Sequence, residues 1–287
     1  ALKNADLVIL AGMPCDFRLG YGRSFGAGAG IISINRSKAD LKLNCRQDLA
    51  VLSDPFLFFC ALYDVLAAES SGWGSWIKEL KKNDDGREEF ISKTAREKTD
   101  LLNPLLLLKK LNDFLDEKSM LVADGGDFVG TAAYILQPRG PLTWLDPGAF
   151  GTLGVGAGFA LGSKLTHPAS EVWLIYGDGA AGFSLQEFDS FVRHQVPVIA
   201  LVGNDAGWTQ IARDQATIFG DDVGTVLRRT DYHLVAEGYG GKGFVLDKEA
   251  DIERVLGEAR QAAIAGHPVL INALIGKTDF RKGSISM

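Results

Sequence analysis

The chain has 287 residues, 46% of them apolar, and its formal net charge is −6 at pH 7. This length suits one or two domains, and the acidic balance argues against a surface that binds nucleic acid. Cys15, Cys45 and Cys60 are far apart in the sequence and form no CxxC pair. Neither a disulfide framework nor a zinc site is therefore indicated.

The start of the chain carries no visible signal peptide. The sequence begins with Ala1 and not with methionine, and a strand-like run starts a few residues later. The most apolar run, residues 55–68, is too short to cross a bilayer and contains Asp64. We therefore interpret the chain as the C-terminal part of a longer protein, without a membrane span of its own.

The first predicted elements make up about half of an α/β domain. Residues 1–70 contain apolar runs at 7–10 and 31–34, each typical of a buried strand, and a predicted helix at 55–68. Residues 71–102 are rich in charged side chains, which predicts an exposed linker with a solvated helix.

From residue 103 to residue 287, apolar strands alternate with segments of helical periodicity. Pro104 suits the first turn of a helix, and Ser184 with Glu187 has the spacing of a capping box. The predicted strands lie at 120–123, 171–176, 197–202, 242–246 and 269–274, and the predicted helices at 104–115, 156–165, 184–194 and 249–265. This alternation predicts a doubly wound parallel sheet of the α/β class.

Polar residues follow two neighbouring strands of this predicted sheet. Gly177, Asp178 and Gly179 come directly after the strand at 171–176, and Asn204 follows the next strand, 26 positions after Asp178. The carboxyl ends of parallel strands are where open α/β sheets bind ligands. Carboxylate and amide oxygens suit Mg²⁺ or Ca²⁺, either of which can also bind phosphate oxygens.

Two glycine-containing segments come earlier in the same unit. Residues 148–156 read Gly-Ala-Phe-Gly-Thr-Leu-Gly-Val-Gly, and residues 124–128 read Asp-Gly-Gly-Asp-Phe at the end of a strand. By itself the first segment favours a glycine-rich helix entry or a dinucleotide loop, and it favours a cofactor loop only together with the Asp178 and Asn204 motif downstream. The second favours either backbone contacts to phosphate or an ordinary β-turn.

Taken together, these motifs resemble the thiamine diphosphate (ThDP)-dependent enzymes. The resemblance implies a diphosphate-binding (PP) domain at 103–287, a linker at 71–102, and the second half of a Rossmann-like central domain at 1–70. It also implies ThDP and Mg²⁺ as cofactors.

The resemblance also implies a set of site residues. The metal ligands would be Asp178, Asn204 and a main-chain carbonyl near Ala206, with Asp205 as a rival because many relatives place the ligand one position later. Gly151 would accept a hydrogen bond from the cofactor's aminopyrimidine, and Leu153 would support its bent shape. The residues expected near the diphosphate are Asp127, Phe128, Gly177, Gly179, Ala180 and Ala181.

The runs at 202–211 and 270–281 are most similar to the 2-hydroxyacyl-CoA lyase branch of the family. That implies cleavage of 2-hydroxyacyl-CoA to formyl-CoA and an aldehyde one carbon shorter, in a homodimer or tetramer attached to the endoplasmic reticulum membrane. The family's activating glutamate lies on a separate pyrimidine-binding (PYR) domain that no part of this chain matches. No catalytic residue is therefore assigned, and we expect the isolated chain to be inactive.

Two other functions fit the same motifs. One is an acetolactate synthase-type carboligase, and the other is a module that keeps the fold without catalysis. The metal pair counts against the second. A dinucleotide-dependent oxidoreductase would need GxGxxG directly after the first strand and an acidic residue about 20 positions on, and this arrangement is not found.

Overall fold

The computed structural model describes residues 1–66 and 72–283. Contacts divide the chain into two compact units, Ala1–Gly86 and Arg87–Met287. The division falls within the predicted linker, inside a helix at Gly74–Thr94.

The described residues of the first unit form a small parallel sheet. Its strands are β1 (Leu7–Ala11), β2 (Gly30–Asn35) and β3 (Leu49–Leu52), in that order across the sheet. Helix α1 (Pro55–Val65) follows. Asp54 caps its start by accepting a hydrogen bond from the N–H of Phe56 at 2.7 Å. Residues 67 and 68 of the predicted helix lie outside the described residues, and the strand β3 was not predicted.

The charged segment after the first unit forms α2 (Gly74–Thr94). The second unit then builds a six-stranded sheet from its described residues. The strands are β4 (Met120–Ala123), β5 (Trp144–Leu145), β6 (Val172–Gly177), β7 (Ile199–Asn204), β8 (Lys242–Leu246) and β9 (Val269–Leu274). The helices are α3 (Pro104–Phe114), α4 (Asp127–Ile135), α5 (Gly156–Thr166), α6 (Asp178–Ser184), α7 (Phe188–Arg193), α8 (Thr209–Phe219), α9 (Tyr232–Gly238) and α10 (Ile252–Ile264).

All neighbouring strands of this sheet are parallel, in the order β5-β4-β6-β7-β9-β8. The chain leaves β4 toward one edge of the sheet and returns as β6 on the other side of β4. Such a reversal is a topological switch point, where open α/β sheets bind ligands. In this sheet the switch point lies at the carboxyl ends of β4 and β6.

Helices cover both faces of the sheet, because its central strands are apolar on both sides. One face packs against α3, α4 and α10 through residues such as Leu121, Trp173 and Leu201. The other packs against α5, α6 and α9 through residues such as Leu174 and Val202. The prediction of a doubly wound parallel α/β sheet is confirmed.

The helix predicted at 184–194 is only partly correct. The helix α6 begins earlier, at Asp178, and a 3₁₀ turn at Leu185–Glu187 separates it from α7. Ser184 makes no cap bond, and its hydroxyl instead pairs with the hydroxyl of Tyr176 at 2.7 Å. The predicted capping box is therefore wrong, because a tertiary hydrogen bond takes the serine that the local pattern assigned to the helix start.

Several elements of the second unit were not predicted. These are the strand β5, which has only two residues, and the helices α4, α8 and α9. None of the helices within residues 1–66 and 72–283 combines the length and apolarity that a membrane crossing needs.

Candidate functional site

The loops after β4 and β6 touch each other through their main chains. Gly177 donates its N–H to the carbonyl of Gly125 at 2.9 Å. Gly126 has a φ of +109°, a backbone angle that residues with a side chain rarely adopt. A Cβ atom on Gly177 would lie only 2.9 Å from the same Gly125 oxygen. The glycines at these positions are therefore required by close approach at the switch point.

Asp124 joins the glycine-rich segment to the end of β4. Its two carboxylate oxygens accept hydrogen bonds from the N–H groups of Gly154 at 2.9 Å and Gly156 at 2.7 Å. The carboxyl is almost fully buried, and this burial raises its pKa, while the two N–H donors lower it. No pattern in the sequence indicated that Asp124 would bind the glycine-rich segment.

Of the two cofactor residues predicted in this segment, Leu153 packs against the loop after β4 and Gly151 is exposed. Leu153 packs over Gly125 so closely that a Cβ atom on that glycine would overlap its side chain. Gly151 ends a short 3₁₀ turn in the left-handed conformation, with φ +59°.

Replacing Asp124 with asparagine should destabilise the protein. An amide has one acceptor oxygen and an NH₂ group that only donates, so either Gly154 or Gly156 would lose its buried partner. We expect the free energy of unfolding to fall by about 1–3 kcal/mol, measured by urea denaturation. In the matched control Asp146→Asn, the aspartate is exposed and accepts from the N–H of Gly148 at 2.8 Å. The control should change by less than about 0.5 kcal/mol, and equal losses would contradict the assigned role.

Asp178 follows β6 and is only 2% exposed. Its carboxylate accepts hydrogen bonds from the N–H of Gly179 at 2.8 Å and from the N–H of Gly207 at 3.1 Å. Burial, and then the nearby charge of Asp205, raise its pKa to about 6. Ala180 and Ala181 are buried in the first turn of α6.

The two rivals for the second metal ligand, Asn204 and Asp205, have different surroundings. Asn204 is fully buried and donates from Nδ2 to the carbonyl of Thr230 at 3.0 Å and to Oδ1 of Asn272 at 3.1 Å. Its own Oδ1 has no hydrogen-bond partner among the described residues. Asp205 accepts a hydrogen bond from the hydroxyl of Thr209.

The charge of Asp205 raises the pKa of Asp178, whereas the side chain of Asn204 is neutral. Burial raises the pKa of Asp205, whereas the Thr209 hydrogen bond and then the charge of Lys277 lower it. Asn204 contributes an unpartnered buried oxygen, and Asp205 contributes a second carboxylate near the first. Both observations suit a bound cation, so the choice between the two side chains stays open.

The chain after Asp205 turns sharply. Ala206 has a φ of +59°, and its carbonyl accepts the N–H of Leu227 at 3.0 Å. The N–H of Trp208 donates to the carbonyl of Thr225 at 2.7 Å. The Trp208 ring then lies against Gly179, where a Cβ atom would be 2.6 Å from it. The tryptophan therefore packs against the Gly-Asp-Gly turn.

Replacing Gly179 with alanine should displace Trp208. The added methyl group has no space, and overpacking of this kind typically lowers the free energy of unfolding by about 1–3 kcal/mol. The control is Gly182→Ala in the same helix, where a Cβ atom would meet nothing within 4 Å. It should be neutral or raise stability by up to about 1 kcal/mol. Thermal unfolding of both variants measures the difference, and a tolerated Gly179→Ala would show that Trp208 is free to move.

Asp127 and Phe128 begin α4, and their side chains have different environments. Asp127 forms an ion pair with Arg213 of α8 at 2.9 Å, and Arg281 lies 3.9 Å away. The Phe128 ring packs against Gly203 so tightly that a Cβ atom there would overlap it. Phe128 therefore belongs to the core beneath the site. The arginines come from distant parts of the chain, and no local pattern indicated them.

The family model described as "Thiamine pyrophosphate enzyme, C-terminal TPP binding domain" matches residues 124–273, just over half of the chain. The chain belongs to the thiamine pyrophosphate enzyme family. Thiamine pyrophosphate is the same compound as ThDP. The matched residues begin at Asp124 and end on β9, so they contain the switch point and every predicted metal residue.

Individual relatives of this thiamine pyrophosphate enzyme domain align with the whole chain. It is 51% identical to 2-hydroxyacyl-CoA lyase 2 of Danio rerio and 50% identical to 2-hydroxyacyl-CoA lyase 2 of Homo sapiens, over 100% of this chain and 47% and 46% of the relatives. It is 31% identical to acetolactate synthase large subunit IlvG of Mycobacterium tuberculosis, over 96% of this chain and 49% of that protein. The chain thus spans about half the length of these curated relatives.

The residues at the switch point suit thiamine pyrophosphate together with a metal ion. Within residues 1–66 and 72–283, no group of three or more His, Cys, Asp and Glu side chains is arranged to hold a metal ion. A cation here would therefore need amide, main-chain and ligand oxygens in addition to Asp178. The unpartnered Oδ1 of Asn204 and the glycine-lined backbone beside Asp178 supply groups of these kinds.

Proposed function

We propose that this chain forms the diphosphate- and metal-binding half of a ThDP- and Mg²⁺-dependent carbon–carbon lyase. Its substrate would be a 2-hydroxyacyl-CoA, cleaved to formyl-CoA and an aldehyde one carbon shorter. The main structural support is the buried carboxylate of Asp178 at the switch point, with Asn204 and Asp205 at the end of the neighbouring strand. The choice of substrate rests on the relatives named 2-hydroxyacyl-CoA lyase 2.

In this proposal Asp178 holds the metal ion. Asn204 provides the second side-chain ligand, with Asp205 as its alternative, and a main-chain carbonyl near Ala206 completes the protein's share. The hydrogen bonds from Gly179 and Gly207 fix the orientation of the Asp178 carboxylate before the ion binds. An ion there would also offset the repulsion between Asp178 and Asp205.

The surrounding residues would position the cofactor. Gly177, Gly179, Ala180 and Ala181 would lie near the diphosphate, because they form the start of α6 directly after β6. Leu153 would present an apolar surface to the cofactor's rings, and Asp124 holds the segment that carries Leu153.

When bound, ThDP supplies the electron sink for carbon–carbon bond cleavage. The residues of this chain bind and orient it, and the activating glutamate would come from a PYR domain. Assembly as a homodimer or tetramer, attachment to the endoplasmic reticulum membrane and inactivity of the isolated chain belong to the same proposal.

An acetolactate synthase-type carboligase is the second candidate. The 31% identity to acetolactate synthase large subunit IlvG favours this function, because the identity extends over nearly the whole chain. The lyase is preferred since identity to the relatives named lyase is 50–51% over the same span.

Calorimetric titration of the complete protein with ThDP, with and without Mg²⁺, tests the metal site. We expect Asp178→Ala to abolish the magnesium-dependent part of binding, because the remaining groups cannot hold the ion alone. Asn204→Ala and Asp205→Ala identify the second ligand, since only the true ligand's variant should lose the magnesium dependence. Asp189→Ala, at an exposed ion pair on α7, is the control and should bind as the wild type. Wild-type protein that binds no ThDP would refute the proposed cofactor.

Product analysis of the ThDP- and Mg²⁺-loaded complete protein tests the reaction. Incubation with a 2-hydroxyacyl-CoA should release formyl-CoA and the shortened aldehyde in equal amounts, because one bond is broken per turnover. Incubation with pyruvate alone should give no acetolactate. Acetolactate without formyl-CoA would favour the carboligase, and cofactor binding with neither product would favour a non-catalytic module.

A further inference from the structure

The segment after β9 is fixed to the second unit by specific contacts. The N–H of Gly276 donates to the carbonyl of Leu102 at 2.9 Å, and a parallel bridge joins Leu102 to Ile275. Further on, the ring of Phe280 stacks on Phe90 with centroids 6.0 Å apart and meets Tyr134 edge-on at 5.8 Å. These contacts bring the next residue, Arg281, to the space between α4 and α8.

Arg281 is a buried charged side chain that joins these two helices. It is 7% exposed, and its Nη1 donates to Oε1 of Gln210 at 3.3 Å and lies 3.9 Å from Oδ1 of Asp127. Arg213 of α8 completes the group by binding the other Asp127 oxygen at 2.9 Å and the Arg281 carbonyl at 3.5 Å. Asp127 therefore faces two guanidinium groups.

A glycine in the middle of α4 makes room for this arrangement. A Cβ atom on Gly130 would overlap the Arg281 guanidinium. Glycine inside a helix costs about 1 kcal/mol of stability relative to alanine. The position of Arg281 accounts for the glycine at residue 130, because any larger residue there would displace the guanidinium from the space above Gly130.

Both helices start directly after loops of the candidate site. The helix α4 begins at Asp127, after the loop that contacts Gly177, and α8 begins at Thr209, whose hydroxyl donates to Asp205. A rigid link between the two helices therefore holds the loops after β4 and β7 in a fixed relation. The Arg213–Asp127 ion pair makes that link directly, and Arg281 adds to it from outside the loops.

We propose that Arg281 is a positioning residue, which links Asp127 of α4 to Gln210 of α8 above Gly130 and so fixes the two loops that would hold ThDP and its metal. Its effect on the cofactor rests on the proposed function, whereas the link between the helices does not. Arginine suits this task because its rigid guanidinium donates to Gln210 through Nη1 while its charge lies 3.9 Å from Oδ1 of Asp127, which a flexible lysine ammonium does less well.

A double-mutant cycle between Gly130→Ala and Arg281→Ala in the complete protein tests the link. The guanidinium is the far end of a flexible side chain, so Gly130→Ala should leave α4 folded and displace the arginine. Each single variant should weaken magnesium-dependent ThDP binding about tenfold, as residues that orient metal ligands do. The double variant should bind no more weakly than Arg281→Ala, because the space above Gly130 is then empty. Arg281→Lys should recover part of the affinity.

Calorimetric ThDP affinity and thermal unfolding, measured on the same variants, separate the possible outcomes. Wild-type ThDP affinity in Arg281→Ala would overturn the positioning role, even if the melting temperature falls. Independent losses that multiply to about a hundredfold in the double variant would overturn the shared contact. If the wild type binds no ThDP, the proposed function fails and the positioning role with it. Non-additive melting temperatures would still support the link between the helices in that case.

Discussion

The main-chain contact between the ends of β4 and β6 is the constraint on which the candidate site depends. The hydrogen bond from Gly177 to Gly125 brings the two loops so close that no side chain fits between them. Asp178 comes next in the chain, so its carboxylate is placed at the switch point by a contact in which it takes no part. Asp124 adds the glycine-rich segment to the same strand end through two buried hydrogen bonds.

The second feature of the site is the desolvation of its charged groups. Burial raises the pKa values of Asp124, Asp178 and Asp205, and only Asp124 has both carboxylate oxygens bound by backbone donors of a single segment. Buried carboxylates are costly unless a cation or hydrogen-bond donors stabilise them. Arg213 and Arg281 supply positive charge to Asp127, whereas Asp178 is held by neutral N–H groups. The structure therefore distinguishes a carboxylate that is paired with cationic side chains from one that only neutral donors contact.

The strands and the site motif were predictable because their signals are local. Apolar runs predicted the central strands of the second unit, and the spacing between Asp178 and Asn204 placed both at strand ends of one edge. The helix α4 and the two-residue strand β5 were missed, since a Gly-Gly turn and a short run carry no strong periodicity. The capping box at Ser184 failed because the Ser184 hydroxyl instead pairs with the hydroxyl of Tyr176 on β6.

The sequence by itself determined the class of the fold, the family and the short list of residues at the carboxyl edge of the sheet. These depend on residue type and spacing, which the chain carries without reference to its folded form. Only the tertiary structure decided that Asp124 holds the glycine-rich segment, that Phe128 belongs to the core, and that Arg281 reaches Asp127. Such contacts join residues that are far apart along the chain, and their partners follow from how helices pack on the sheet.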